Sequence, residues 1–240
     1  MDKRDLRFSE LLRHITEHPA QDSINRWNAL ERIHRVYLAN QSDLLRIIDL
    51  PNAQKELGIA LFREEAEREV YFDELYRMIH NYLSMLASLI DHSRNLLKKY
   101  ESSSTQVEYK RRTDSMSRIG EAKFLKDLRN YLLHVRIPPM VLHFTMTPGP
   151  SRFDFGVRLN VEELLKYSNW SPVAMSYLRG REVVILKECV VSYTDAIQGL
   201  YDWLFDQFEE IHGGEVVDLH ALQDEAYSLY DWPEDIDPRK

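Results

Sequence analysis

Along most of this 240-residue chain, apolar residues recur every three or four positions, the spacing of one face of an α-helix. Leu6, Leu11, Leu12 and Ile15 share such a face, and Pro19 follows. Asp22 or Ser23 stands where a second helix would be capped, running to about residue 39 with Ile24, Trp27, Leu30 and Val36 on its apolar side. A third helix is expected from Ser42 or Asp43 to just before Pro51. The longest element is predicted over residues 59–100, which hold no Gly or Pro. There Leu75, Ile79, Tyr82, Leu86, Leu89, Ser93, Leu96 and Tyr100 step at three or four residues. Residues 101–105 read as a polar loop. Residues 110–137 read as a further helix, broken near Gly120 and ended by Pro138 and Pro139.

The period then changes to two. Met140, Leu142, Phe144 and Met146 alternate, as do Phe153, Phe155, Val157 and Leu159, with Pro148, Gly149 and Pro150 between the runs. This predicts a β-hairpin. Asn160 with Glu163 opens a short helix, and Ser171 followed by Pro172 opens another. A second long helix is predicted over residues 184–212. Cys189, Tyr193, Ile197, Leu200, Leu204, Phe208 and Ile211 form its stripe, and Gly213 and Gly214 stop it.

These elements predict one mainly α domain, a helical bundle with an inserted β-hairpin. Along the chain come N-terminal helices (1–58), the long helix and the helix after it (59–137), and the hairpin (138–160). Short helices and a second long helix (161–214) lead to an acidic tail (215–240). A hairpin is too small to stand alone and should lie on the helices. With only 8 Gly and 9 Pro, the chain favours long regular elements. No apolar run approaches the roughly 18 residues of a membrane span. The only cysteine, Cys189, falls on an apolar stripe and is expected as a buried core thiol. A reducing, cytoplasmic setting is the simplest expectation.

Charge changes the picture more than composition does. The chain carries a formal net charge of −8, which argues against a general nucleic-acid binder. Residues 109–136, however, hold eight basic side chains against three acidic ones, a net of +5. Residues 215–240 hold eight acids and two bases, a net of −6. The tail either solubilises the protein or lies on the basic island in the manner of RNA phosphates.

Within that island, at about 100° per residue, Phe124, Leu125, Leu128, Tyr131, Leu132 and Val135 fall in one stripe. Arg129 and His134 lie on its opposite flanks. Asn130 and Leu133 point outward, with Ile137 on the same side. An apolar residue ringed by polar groups marks a contact surface. A second copy of the helix, related by a two-fold axis, would bring two Arg/Asn/His sets together. The plainer alternative is a surface Asn, a snorkelling Arg and an incidental His.

Arg129-Asn130-Tyr131-Leu132-Leu133-His134 resembles the R-polar-x-x-x-H signature of the HEPN superfamily. The resemblance covers the helical scaffold from about residue 59 to 212. It implies a helical bundle that dimerises through the Arg129–His134 face, and in active members a metal-independent endoribonuclease. It also implies bacterial toxin, antitoxin-controlled or defence roles. Arg129 and His134 would be the catalytic pair and Asn130 would orient groups. A 2′-hydroxyl attacks the adjacent phosphorus while an imidazole takes the proton. A guanidinium stabilises the charge gathering on the phosphoryl oxygens. The products would be a 2′,3′-cyclic phosphate and a 5′-hydroxyl, with no cofactor. Lys123, Lys126 and Arg136 would hold flanking phosphates. Some members draw a further polar residue from a neighbouring helix, and Asp91 and His92 are the candidates. One branch carries a tyrosine two residues after the His. Arg136 stands there, so control through that tyrosine is in doubt. The same resemblance also fits a non-catalytic dimeric scaffold, because a fold does not impose its function. A generic helical interaction protein is the third reading.

His14, Glu17 and His18 match the H-x-x-E-H zinc pattern. Pro19 follows at once, and the expected reading is a polar helix end. There is no phosphate-binding glycine loop and no G-x-S-x-G nucleophile.

Overall fold

The computed structural model describes residues 2–100, 103–146 and 153–230. Its elements in order are α1 (Lys3–Thr16), α2 (Pro19–Ala53), α3 (Lys55–Arg63), α4 (Glu65–Leu97), α5 (Ser104–Met116), α6 (Gly120–His134), β1 (Met140–Met146), β2 (Phe153–Asn160), α7 (Val161–Leu165), α8 (Pro172–Leu178), β3 (Val183–Ile185) and α9 (Leu186–Ser228). The mainly α architecture with a β-hairpin agrees with the periodicity. The described residues fall into two compact units, 2–31 with 201–230 and 32–200. Among the described residues no helix is long and apolar enough to cross a membrane.

In the first unit, Trp27 stacks on Phe208 at 4.4 Å and meets Phe205 edge-on at 4.7 Å. Residues 215–240 were expected as an acidic tail after a helix stop at Gly213 and Gly214. Residues 215–228 belong instead to α9, which runs straight through both glycines. Each glycine costs a helix about 1 kcal/mol relative to Ala. The helix persists because Leu219 and Ala226 are buried and Glu225 accepts two hydrogen bonds from the Arg7 guanidinium. Tyr230 donates to Asp5 and meets Phe8 edge-on. Residues 231–240 lie outside the described residues, as does the turn at 147–152.

In the second unit the two helices expected over residues 22–50 are one, α2. Its polar stretch at Asn40 to Asp43 stays helical because Tyr37, Leu44 and Ile48 keep one face buried. Pro51 sits inside this helix. Lacking an N–H, it leaves the Ile47 carbonyl without its helical donor. The Tyr71 hydroxyl donates there instead, at 3.1 Å. The helix predicted over 59–100 breaks at Glu64, whose backbone is extended (φ −116°, ψ 113°). The break turns α3 onto the sheet, where Phe62 meets Phe144 and Phe155. The expected break near Gly120 is present. The helix before it starts earlier than expected, with the Ser103 hydroxyl accepting from the Gln106 N–H.

The hairpin pairs Leu142 with Val157 and Phe144 with Phe155, as its alternation requires. A third strand, β3, pairs with β2 in the order β1-β2-β3; those residues had been read as a helix start. Gly180, at φ +85°, makes the turn that leads into β3. Beyond the end of β3 the Asn52 side chain takes over as a strand would, donating to the Phe155 carbonyl and accepting from its N–H. Asn160 and Ser171 cap α7 and α8 as expected.

At the centre of this unit three buried hydroxyls close a triangle. Tyr37 lies 3.2 Å from Tyr82 and 3.0 Å from Thr194, and Tyr82 lies 3.3 Å from Thr194. Each hydroxyl has one proton and free lone pairs, so three can satisfy one another. Burial raises both phenols above their ordinary range, which keeps them neutral.

Two glycines should respond in opposite directions. A Cβ at Gly120 would meet the Tyr177 ring at 2.6 Å, whereas one at Gly214 meets nothing within 4 Å. In urea unfolding, Gly120→Ala should cost about 1–3 kcal/mol. Gly214→Ala should gain up to about 1 kcal/mol. Equal effects would contradict both the close α6–α8 approach and the continuity of α9.

Candidate functional site

Helix α6 buries Phe124, Leu125, Leu128, Tyr131 and Leu132, each no more than 6% exposed. This is the stripe that the sequence predicts. Asp127 also lies on the buried side, three residues from Phe124 and four from Tyr131. Its carboxylate accepts from Lys123 Nζ at 3.1 Å and from the Ser171 N–H at 2.9 Å, tying α6 to the start of α8. An acid inside an apolar stripe is the signal that could have revealed this role.

The helix ends at His134, three residues before the expected limit. A proline ring clashes with the carbonyl four residues earlier, and for Pro138 that carbonyl belongs to His134. Val135, expected in the core stripe, therefore lies past the helix and is 48% exposed. Leu133 (41%) and Ile137 (51%) are exposed as predicted, and so are Asn130 and His134.

The predicted residues divide into three groups. Arg129, Asn130 and Lys126 line a cavity of about 160 Å³ between α4 and α6, together with Asp91 and Arg94. The Arg129 Nε is buried with no hydrogen-bond partner among the described residues. Lys126 is exposed and forms no ion pair with the described residues. His134 forms a second group of its own. It is exposed at the helix end and does not line this cavity. Lys123 and Arg136 form the third group, already engaged elsewhere. Lys123 pairs with Asp127. Arg136 donates from Nε to the Tyr131 hydroxyl at 2.7 Å and from Nη2 to Glu163 at 3.0 Å. Both, expected to hold flanking phosphates, are thus tied to groups within the fold.

Of Asp91 and His92, Asp91 lines the cavity and His92 does not. Arg94 was missed, although it stands one turn beyond Asp91 on the same face and pairs with it at 3.5 Å. Three cations against one carboxylate make the cavity rim electropositive. Its wall is apolar, built by Leu83, Leu86, Ala87 and Ile90 of α4 with Leu125 of α6.

The two remaining sequence signals belong to the scaffold. Helix α1 ends at Thr16, and the His18 ring Nδ1 accepts the Ala20 N–H at 3.2 Å, capping α2. Among the described residues no group of three His, Cys, Asp or Glu side chains is placed to hold a metal. Cys189 is 1% exposed, as expected, with its sulfur 3.2 Å from the Tyr177 hydroxyl. Burial pushes its thiol up to about 11. No family model, no curated protein and no solved structure matches this chain.

Two measurements probe these environments. Arg129→Met keeps the aliphatic stem and removes the unpaired N–H. Its melting temperature should hold or rise, whereas a fall beyond about 5 °C, more than 1 kcal/mol in a chain this size, would reveal a bonded guanidinium. Cys189 should resist thiol reagents at pH 8 in the native protein and react on unfolding, because the thiolate is scarce until the pH nears the raised value. Rapid native labelling would contradict its burial.

Proposed function

We propose that this chain is a HEPN-like RNA-processing protein, a metal-independent endoribonuclease that acts as a homodimer through the exposed face of α6. The observation that carries the reading is the Arg129 guanidinium. Its Nε is buried without a partner among the described residues, and the residue lines an electropositive cavity. A buried donor left unpaired costs about 1–3 kcal/mol. An anionic ligand in the cavity would meet the charge of Arg129, which lines it. His134 is exposed one and a half turns further along the same helix, beside Leu133, Val135 and Ile137. An apolar cluster next to polar groups suits a self-complementary contact about a two-fold axis. In such a dimer the His134 of one copy is available to the Arg129 of the other. Arg129 stabilises charge on the phosphoryl oxygens, His134 moves the proton of the attacking 2′-hydroxyl, and Asn130 orients the phosphodiester.

A second reading is a non-catalytic dimeric scaffold of the same type. It is favoured by the position of His134 outside the Arg129 cavity and by the engagement of Lys123 and Arg136 within the fold.

The test uses purified protein with mixed RNA in EDTA, beside His134→Ala and Arg129→Ala, with the solution mass measured for each. Cleavage by the wild type that leaves 2′,3′-cyclic phosphate ends and drops at least 100-fold in both variants is the expected result. Folded, dimeric proteins that cut no RNA support the scaffold. A strict monomer removes both readings.

A further inference from the structure

We infer that the α4–α6 cavity is a subsite for one unstacked nucleotide of single-stranded RNA, with its phosphate on Arg129 and Lys126 and its base on the apolar wall of α4. The inference rests on the RNA reading above and adds to it which part of the RNA the cavity takes. Leu83, Leu86, Ala87 and Ile90 follow one another at helical spacing and form an apolar ridge along α4, in which Leu83 and Leu86 are buried and Ala87 and Ile90 are part-exposed towards the cavity. One turn further on, the same side of the helix becomes charged, with Asp91 and Arg94 at the rim. Across the cavity α6 supplies Lys126, Arg129 and Asn130. The cavity thus pairs an apolar wall with a cationic rim.

A ligand must use both halves to fit. A bare anion reaches the cations but leaves Ala87 and Ile90 wetted. An uncharged apolar group covers the ridge but leaves the cations of the rim without a counter-charge. A nucleotide joins an anionic phosphate to a flat base whose face makes apolar contact. The base must be free of its stack, because a duplex hides base faces, and so the substrate is single-stranded. A volume of about 160 Å³ falls short of the roughly 300–1,000 Å³ of pockets that enclose whole drug-sized ligands, so the cavity takes one base and not a run of them. Asn130 offers a donor and an acceptor, and Asp91 accepts base N–H groups. The Asp91 carboxylate also disfavours a second phosphate beside it.

The experiment titrates the four nucleoside 3′-monophosphates, the matching nucleosides, inorganic phosphate and hexanoate into wild-type protein, Ile90→Trp and Lys126→Gln. Binding is followed by calorimetry and folding by thermal melting. Nucleotides should bind at least tenfold more tightly than nucleoside, phosphate or hexanoate. Ile90→Trp, which fills the wall, and Lys126→Gln, which removes an exposed cation, should each weaken nucleotides at least fivefold. Should Ile90→Trp unfold, the Lys126→Gln comparison alone decides. Nucleotide binding no tighter than phosphate, tighter binding of hexanoate, or wild-type affinity in the folded variants overturns the subsite. The cleavage assay separates the two claims. RNA cut by the wild type with nucleotide binding unaltered in Ile90→Trp removes the subsite and keeps the enzyme. Nucleotides held at the cavity with no RNA cut keeps the subsite and leaves a binding protein.

Discussion

The one-sided burial of α6 is the constraint on which the candidate site depends. Its buried side chains, from Ala122 to Leu132, lie between α4 and α8 and fix the rotation of the helix. With that rotation set, Asn130 and Leu133 must face outward and Arg129 must lie at the edge, half in the core. Two features hold the helix there. Gly120 lets the Tyr177 ring of α8 approach more closely than any side chain would permit. Asp127 reaches out of the stripe to accept the backbone N–H of Ser171. A rotation of α6 large enough to bury Arg129 fully would break that bond and expose Tyr131.

The second unit carries polar groups in its interior. Several of them find a partner in a distant element. Tyr71 answers the carbonyl that Pro51 frees, Asn52 answers the backbone of Phe155, and Tyr37, Tyr82 and Thr194 answer one another. The Nε of Arg129 is buried with no such partner among the described residues. Sites that bind anions hold such donors ready, at a cost in stability that the ligand later offsets.

Much of the fold was legible. The change from a helical to an alternating period located the hairpin, the apolar stripe gave the faces of α6, and Asn160 and Ser171 announced their helices. The misses share a cause. The break at Glu64, the continuation of α9 through Gly213 and Gly214, and the third strand at Val183–Ile185 each go against local propensity, or are invisible to it. Each is decided by what the segment meets: Phe144 and Phe155 for α3, Arg7 for the end of α9, β2 for β3.

The candidate site divides in the same way. Periodicity is a property of a residue's own helix, so the sequence by itself determined that Asn130 and Leu133 face away from the core and that Arg129 and His134 lie at its flanks. Whether a cation is free to meet a phosphate depends on partners far along the chain. Arg136 finds Glu163 27 residues away, and the carboxylate that engages Lys123 is held in turn by Ser171, 44 residues from it. Only the tertiary structure placed Lys126 and Arg129 on a cavity, set Asp91 and Arg94 opposite them, and left His134 outside it, because a cavity belongs to two helices at once and neither one encodes it alone.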